Sequence, residues 1–218
     1  MSASALAELT IADEPATWAA LGFAVDGEGV CRVGGVRFAL AGRDAGRGIV
    51  RWALRALASE ELDGLPTARD ADAAPPGEPP AHPLGVVALD HVVAVSPRLD
   101  RTVAALQRAG LDLRRIREEP TPAGAPRQAF FRVGEAILEA IQEPEEIVER
   151  HGGSERPAFF WGLAFVVADI DAAAQQLGDR AGPVRPAVQP GRRIVPLRRS
   201  AGLAVPVALM TPRPVSDR

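Results

Sequence analysis

The chain has 218 residues, 47% of them apolar, and a formal charge of −3 from 25 basic against 28 acidic side chains. That length gives one large domain or two small ones with a sizeable core. So near-neutral a balance lacks the electropositive field that gathers phosphate backbones, and it excludes nucleic acid as an expected partner. Apolar runs break well short of the roughly 20 residues that span a bilayer, and no basic-then-apolar leader opens the chain, so a soluble, cytoplasmic protein is expected, with no membrane partner. Every basic residue is arginine, and lysine, asparagine and tyrosine are absent; this is the codon bias of a GC-rich bacterial genome and carries no function. Cys31 stands alone, which excludes an internal disulfide and a C-x-x-C metal site. A metal would have to use Asp, Glu or one of His82, His91 and His151.

In chain order, residues 6–57 open with ELTIA as a strand. PATWAALG follows as a two-turn helix with Pro15 near its start, then FAV, VCRV and VRFALA as short strands. Residues 58–85 are crowded with Pro, Ala, Gly and acids and are expected to be a linker. Residues 86–142 begin with VVALDHVVAVS, an apolar, β-branched run that reads as a buried strand. In the next stretch Leu99, Val103 and Leu106 share a helical face, and Gly110 ends the helix. DLRRIRE, RQAFFRV and AILEAIQ are strands, the last two joined at Gly134, so the block reads β-α-β-β-β. A charged break over 143–157 leads to residues 158–212. There WGLAFVV and the helix from Ile170 to Gly178 are followed by VRPAVQ, RRIVPLR and AVPVALM as strands. The order of the middle block is repeated. Arg32-Val33-Gly34 also returns 100 residues on as Arg132-Val133-Gly134, at the same turn between the last two strands of its block, as an ancestral duplication would leave it.

Tandem β-α-β-β-β units with L-D-H-V-V in the first strand, L-D at the helix start and I-L-E-A-I in the fourth strand resemble the vicinal oxygen chelate superfamily of glyoxalases, bleomycin-resistance proteins and extradiol dioxygenases. The likeness covers about 86–212 well and 6–57 faintly. It implies an α+β fold in which units 86–142 and 158–212 pair into a curved mixed sheet around a cleft, with residues 6–57 as a third, degenerate N-terminal unit. It also implies metal ligands from the first and fourth strands of each unit. Mapped here, these positions are His91 and Glu139 in the first complete unit, and Gly162 and Val207 in the second. Ala39 holds the fourth-strand position of the N-terminal unit. Only two ligands remain, an incomplete set for the one divalent ion, iron, zinc or manganese, that the resemblance suggests. Rescue would need an unmatched ligand such as Glu8, a second chain, or a weakly held hydrated ion. His82 and His151, in the linker and the charged break, are expected to be solvated.

Strand alternation puts His91 on one face with Val93 and Val95, and Glu139 with Ile137 and Ile141, so each polar group interrupts an apolar face. A buried carboxylate needs a partner, and His91 is the candidate. The pair is open to two readings: a vestigial ion pair, or a general acid and base or half of a metal site. Gln128, Phe130, Trp161, Gln189, Arg192 and Arg193 are candidates for binding a small molecule, the arginines because guanidinium forks match carboxylates. Two function classes follow: a lyase, isomerase or dioxygenase acting on a small oxygenated substrate, or a non-catalytic protein that sequesters a small molecule as bleomycin-resistance relatives do. Three units are an odd number, and an unmatched first block would expose strand edge and face, so a homodimer is expected, with block one packed on the partner. The competing arrangement lays block one on its own chain, with IVRWALR as a further strand.

Overall fold

The computed structural model describes residues 4–70, 79–121 and 124–214. Unit 86–142 is built as expected. Strand β6 (Val86–Ser96) is followed by helix α2 (Leu99–Arg108) and strands β7 (Asp112–Arg117), β8 (Gln128–Val133) and β9 (Ala136–Gln142). The next unit repeats the plan with β10 (Phe159–Val167), α4 (Ile170–Leu177), β11 (Arg185–Pro186), β12 (Arg193–Pro196) and β13 (Val207–Met210), after the short helix α3 (Glu145–Arg150). In both, the first strand pairs in parallel with the fourth, β6 with β9 and β10 with β13. The units join through antiparallel β6 and β10 into one eight-stranded sheet, β11-β12-β13-β10-β6-β9-β8-β7. The last three strands are shorter than the sequence suggests, because Pro186, Pro196 and Pro206 lack the amide a ladder needs.

The helices bury the faces that periodicity assigned them: Leu99, Val103 and Leu106 of α2 and Ile170 and Leu177 of α4 lie in the core. Asp169 caps α4, its carboxylate accepting from the amides of Asp171 and Ala172. Adjacent residues split across the sheet as a strand requires. Phe131 is fully buried in the core, whereas Phe130 faces the cleft.

The N-terminal block is more than a single unit. Strand β1 (Ala5–Ile11), helix α1 (Pro15–Ala20), β2 (Val30–Val33) and β3 (Val36–Leu40) keep the unit order, with the FAV strand reduced to one bridge between Val25 and Cys31. To these the chain adds β4 (Ile49–Arg55), antiparallel to β1, and β5 (Thr67–Arg69), parallel to β4, giving the sheet β2-β3-β1-β4-β5. The pairing of β1 with β4 repeats that of β6 with β10. Block one therefore finds the stump of its missing partner unit within its own chain.

This removes the reasoning behind the expected homodimer. The inner face of the small sheet lies on the large sheet's face opposite the cleft. Phe165 of β10 sits 5.2 Å from the ring of Phe23, 5.4 Å from Phe38 and 6.0 Å from Trp18, and Trp52 stands 5.1 Å from Phe160. Both sheets share one hydrophobic core. The apolar face that a neighbour was expected to cover is covered by the same chain, as in the competing arrangement.

The segment expected to be a linker is also corrected. Leu62, Leu65 and Leu84 are buried, and β5 lies within it. Asp63 accepts a hydrogen bond from Arg101 Nε of α2 at 2.6 Å. His82, expected to be solvated, is buried: its Nδ1 accepts from the Ala24 amide and its Nε2–H donates to the Arg32 carbonyl, both at 2.9 Å. A few leucines spaced along a polar stretch suffice to anchor it, although average composition hides them. Residues 71–78 lie outside the described residues. No helix among the described residues is long and apolar enough to cross a membrane.

Candidate active site

The cleft lies on the open face of the eight-stranded sheet as two adjoining cavities of about 400 and 390 Å³, a size usual for small-molecule sites. His91, Arg115, Phe130, Glu139, Gln189 and Pro190 line both. Register explains the convergence. Val93 of β6 pairs with Glu139 of β9, which pairs with Phe130 of β8, and that pairs with Arg115 of β7, all on one rung. His91, Ile137 and Arg132 form the next rung.

Strict alternation would turn Asp90 away from His91, yet both line the cleft. The cause is a β-bulge: His91 pairs with Ala164 and Leu89 with Phe165, leaving Asp90 as the extra residue. Asp90 then becomes the hinge of a buried polar chain. Its Oδ2 accepts from His91 Nδ1–H at 2.8 Å, and its Oδ1 accepts from Arg192 at 2.8 Å. Arg192 also donates twice to the Thr211 carbonyl, at 2.9 and 2.7 Å. The Asp90 and Arg192 side chains are only 4% and 2% exposed. Burial pushes the Asp90 carboxyl up, but the hydrogen bonds from His91 and Arg192 outweigh it and hold the group at about 2. An ionised Asp90 fixes the proton on His91 Nδ1 and aims Nε2 at the cleft.

His91 Nε2 faces Glu139 Oε2 at 3.6 Å, too far for a hydrogen bond and close enough for one small molecule lying across the pair to touch both. Glu139 is oriented by Gln128, whose Nε2 donates to Oε1. The remaining Gln128 oxygen is buried and has no partner among the described residues, leaving an acceptor beside the pair.

Of the residues the sequence singles out, His91, Glu139, Gln128, Phe130, Gln189 and Arg192 come together. Two do not. Trp161 is 50% exposed and lines neither cavity, because it too sits in a bulge, between Phe160 and Gly162. Arg193 points outward and pairs with Asp171 at 2.9 and 2.8 Å, since alternation along β12 sends it opposite to Ile194. Sequence reasoning missed Asp90, Arg115 and Arg132. The D-H doublet was visible in the sequence, but a period of two assigns its members to opposite faces.

The divalent ion that the resemblance suggested does not fit the residues present. Asp100 and Asp171, 71 positions apart, set the offset between the complete units, so Gly162 stands where His91 stands. A Cβ at Gly162 would lie 2.9 Å from the Pro206 carbonyl oxygen, which leaves no room for a ligand there. The counterpart of Glu139 is Ala208, the partner of Ala164, one residue beyond the expected Val207 and equally unable to ligate. Glu8, the suggested rescue, lies on the small sheet and pairs with Arg37 and Arg51. No group of three or more His, Cys, Asp or Glu able to hold a metal occurs among the described residues.

The sequence profile of the Glyoxalase/Bleomycin resistance protein/Dioxygenase superfamily matches residues 88–199. Among solved structures, methylmalonyl-CoA epimerase from Mycobacterium tuberculosis is similar at 22% identity and a TM-score of 0.48, covering 60% of this chain and 91% of its own. A hypothetical protein from Bacillus halodurans C-125 is similar at 16% identity and 0.47, covering 60% and 97%. A Streptomyces coelicolor methylmalonyl-CoA epimerase in complex with 2-nitronate-propionyl-CoA gives 20% identity and 0.47, covering 61% and 99%. No protein of curated function matches the chain.

Proposed function

The chain belongs to the glyoxalase/bleomycin resistance protein/dioxygenase superfamily, and from that premise we propose that its cleft binds a small oxygenated molecule and transfers a proton on it between Glu139 and His91, in the manner of a lyase or isomerase. The observation that carries this reading is the facing pair itself: a carboxylate and an imidazole 3.6 Å apart at the floor of the cleft, each held from behind by a dedicated partner. In the reaction, Glu139 Oε2 takes a proton from a carbon beside a carbonyl, and the C–H electron pair moves into the carbonyl to give an enolate. The cationic form of His91 donates its Nε2 proton to the enolate oxygen. When the substrate is an α-hydroxy carbonyl, Glu139 returns its proton to the former carbonyl carbon of the enediol while His91 Nε2 takes back a proton from the other hydroxyl, which gives an isomer, whereas loss of a β-substituent gives elimination. Asp90 stabilises the imidazolium and holds its orientation, and Arg192 keeps Asp90 charged. Gln128 fixes the carboxylate, and Phe130 and Ile137 limit access of water.

The test is exchange of solvent deuterium into a panel of 2-substituted carboxylic acids and 2-oxo acids, followed by proton NMR. At least one compound is expected to exchange with the wild type and not with E139Q. Equal exchange by wild type, E139Q and H91Q would overturn the assignment. The second reading is sequestration without turnover. It is favoured by the loss of the second unit's ligand positions at Gly162 and Ala208, and it would show as saturable binding with no exchange.

A further inference from the structure

Among the described residues, six guanidiniums line the cleft, from Arg114, Arg115, Arg117, Arg132, Arg192 and Arg213, against the two carboxylates of Asp90 and Glu139. This excess sits in a chain whose net charge is −3. Sequence reasoning sought anion binding at Arg192 and Arg193, but the structure neutralises both, the first with Asp90 and the second with Asp171. Arg114 and Arg117 make exposed pairs with Asp112 at 3.0 Å and Glu119 at 3.7 Å, contacts that solvent screens strongly. Among the described residues, Arg115, Arg132 and Arg213 have no carboxylate partner. Arg115 lies over the Phe130 ring at 4.6 Å, which fixes the plane of its guanidinium and leaves its N–H edge for a ligand.

Their position is as telling as their charge. Arg115 ends the rung that carries Glu139, and Arg132 lies on the rung that carries His91, each two strands away from its catalytic neighbour, or about 9.5 Å between backbones. Arginine side chains reach back across part of that gap. The β7–β8 side of the cleft therefore carries Arg115 and Arg132 without carboxylate partners, next to the acid and base, and Arg213, which follows β13 at the other end of the sheet, lines the same cavity.

We propose that the natural ligand is a small anion whose carboxylate or phosphate group is held by Arg115 and Arg132, with Arg213 lining the same cavity, while its other end meets His91 and Glu139. The proposal rests on the reading of the cleft as the ligand site, and it is independent of whether that ligand turns over. Like charges gathered on one face cost stability unless a ligand offsets them, and forked N–H donors match planar or tetrahedral oxyanions.

Calorimetric titration of the full chain with succinate, inorganic phosphate and the neutral diamide succinamide tests it. Succinate or phosphate is expected to bind, more weakly as sodium chloride rises, and succinamide at least tenfold less tightly. Preference for succinate identifies a carboxylate ligand, and preference for phosphate a phosphate one. R115Q and R132Q should each weaken the anion about tenfold or more. R193Q, whose charge is spent on Asp171, should not. E139Q keeps or improves anion affinity, since it removes a negative charge, while losing deuterium exchange. Anion binding without exchange in the wild type would thus overturn the proton-transfer reading alone. No saturable binding of either anion, equal binding of succinamide, or wild-type affinity in both R115Q and R132Q would overturn this one.

Discussion

Replacing Arg192 by methionine is the sharpest probe of the site's framework, because it deletes a charge and largely keeps the volume. In the native protein the guanidinium is 2% exposed and neutralises a carboxylate that is 4% exposed. Without it, Asp90 is left buried with His91 as its charge-bearing partner among the described residues, and breaking a buried pair in this way costs about 3–5 kcal/mol. For a chain of this length that is a fall in Tm of roughly 6–20 °C. The depression of the Asp90 carboxyl, to which His91 and Arg192 both contribute, sets the scale of what the two partners supply together. That carboxyl is held at about 2 against an ordinary 3.8, a difference worth about 2–3 kcal/mol. The folded value is the depressed one, so this stability is fully present above pH 4 and is lost as the pH falls from about 4 towards 2. Urea denaturation of wild type and R192M across that range is the assay. The deficit of R192M should be largest near neutrality and shrink with acid, and the double variant D90N/R192M should recover part of it, since no buried charge is then left unpaired. A loss below about 1 kcal/mol at neutral pH, or one that does not change with pH, would refute the account of Asp90 as a carboxylate kept charged by Arg192.

Glu139→Gln is expected to abolish deuterium exchange while leaving Tm within a few degrees of wild type, because shape is kept; a large fall in Tm would return Glu139 to a structural role. Phe165→Ala should cost about 3–5 kcal/mol in chemical denaturation, since it empties the contact between the two sheets; a loss under 1 kcal/mol would mean that the small sheet contributes little to the core. Burial lowers the ordinary 6.5 of His82, and protonating Nδ1 breaks its bond to Ala24, so stability should decline as pH falls below about 6.5, and H82Q should flatten that decline. Burial pushes the Cys31 thiol up to about 12, so thiol reagents should react with the native protein only as fast as it opens.

Much of this architecture was legible in the chain. The order of elements in 86–142 followed from where β-branched runs gave way to helical spacing, and Gly110 and Gly178 stopped the helices where expected. His91 and Glu139 stood out because each broke an apolar alternation, and they do meet. What was hidden depends on long-range pairing. The bulge at Asp90 is set by the register of β6 against β10, and nothing local distinguishes it from a regular strand residue. The free or spent state of each arginine is decided by partners far away in sequence, as Arg192 with Asp90 shows. Leu62 and Leu65 were lost in the average polarity of their segment. The stump formed by β4 and β5 could be recognised only from its pairing, because residues 56–66 between its strands keep no trace of the unit's helix.

That stump has a consequence for how the protein can change. A sheet that both closes a core and lines a cleft normally restrains its own chemistry, since each new charge on the cleft face draws on limited stability. Here the N-terminal block covers the other face with Trp18, Phe23, Phe38 and Trp52, so that face is packed into the shared core and turned away from the cleft. Residues such as Arg115, Arg132 and Gln128 can therefore be exchanged without loosening the back of the sheet. The N-terminal block acts as a reserve of stability, and the cleft it supports is free to be rewritten for another ligand at little risk to the fold.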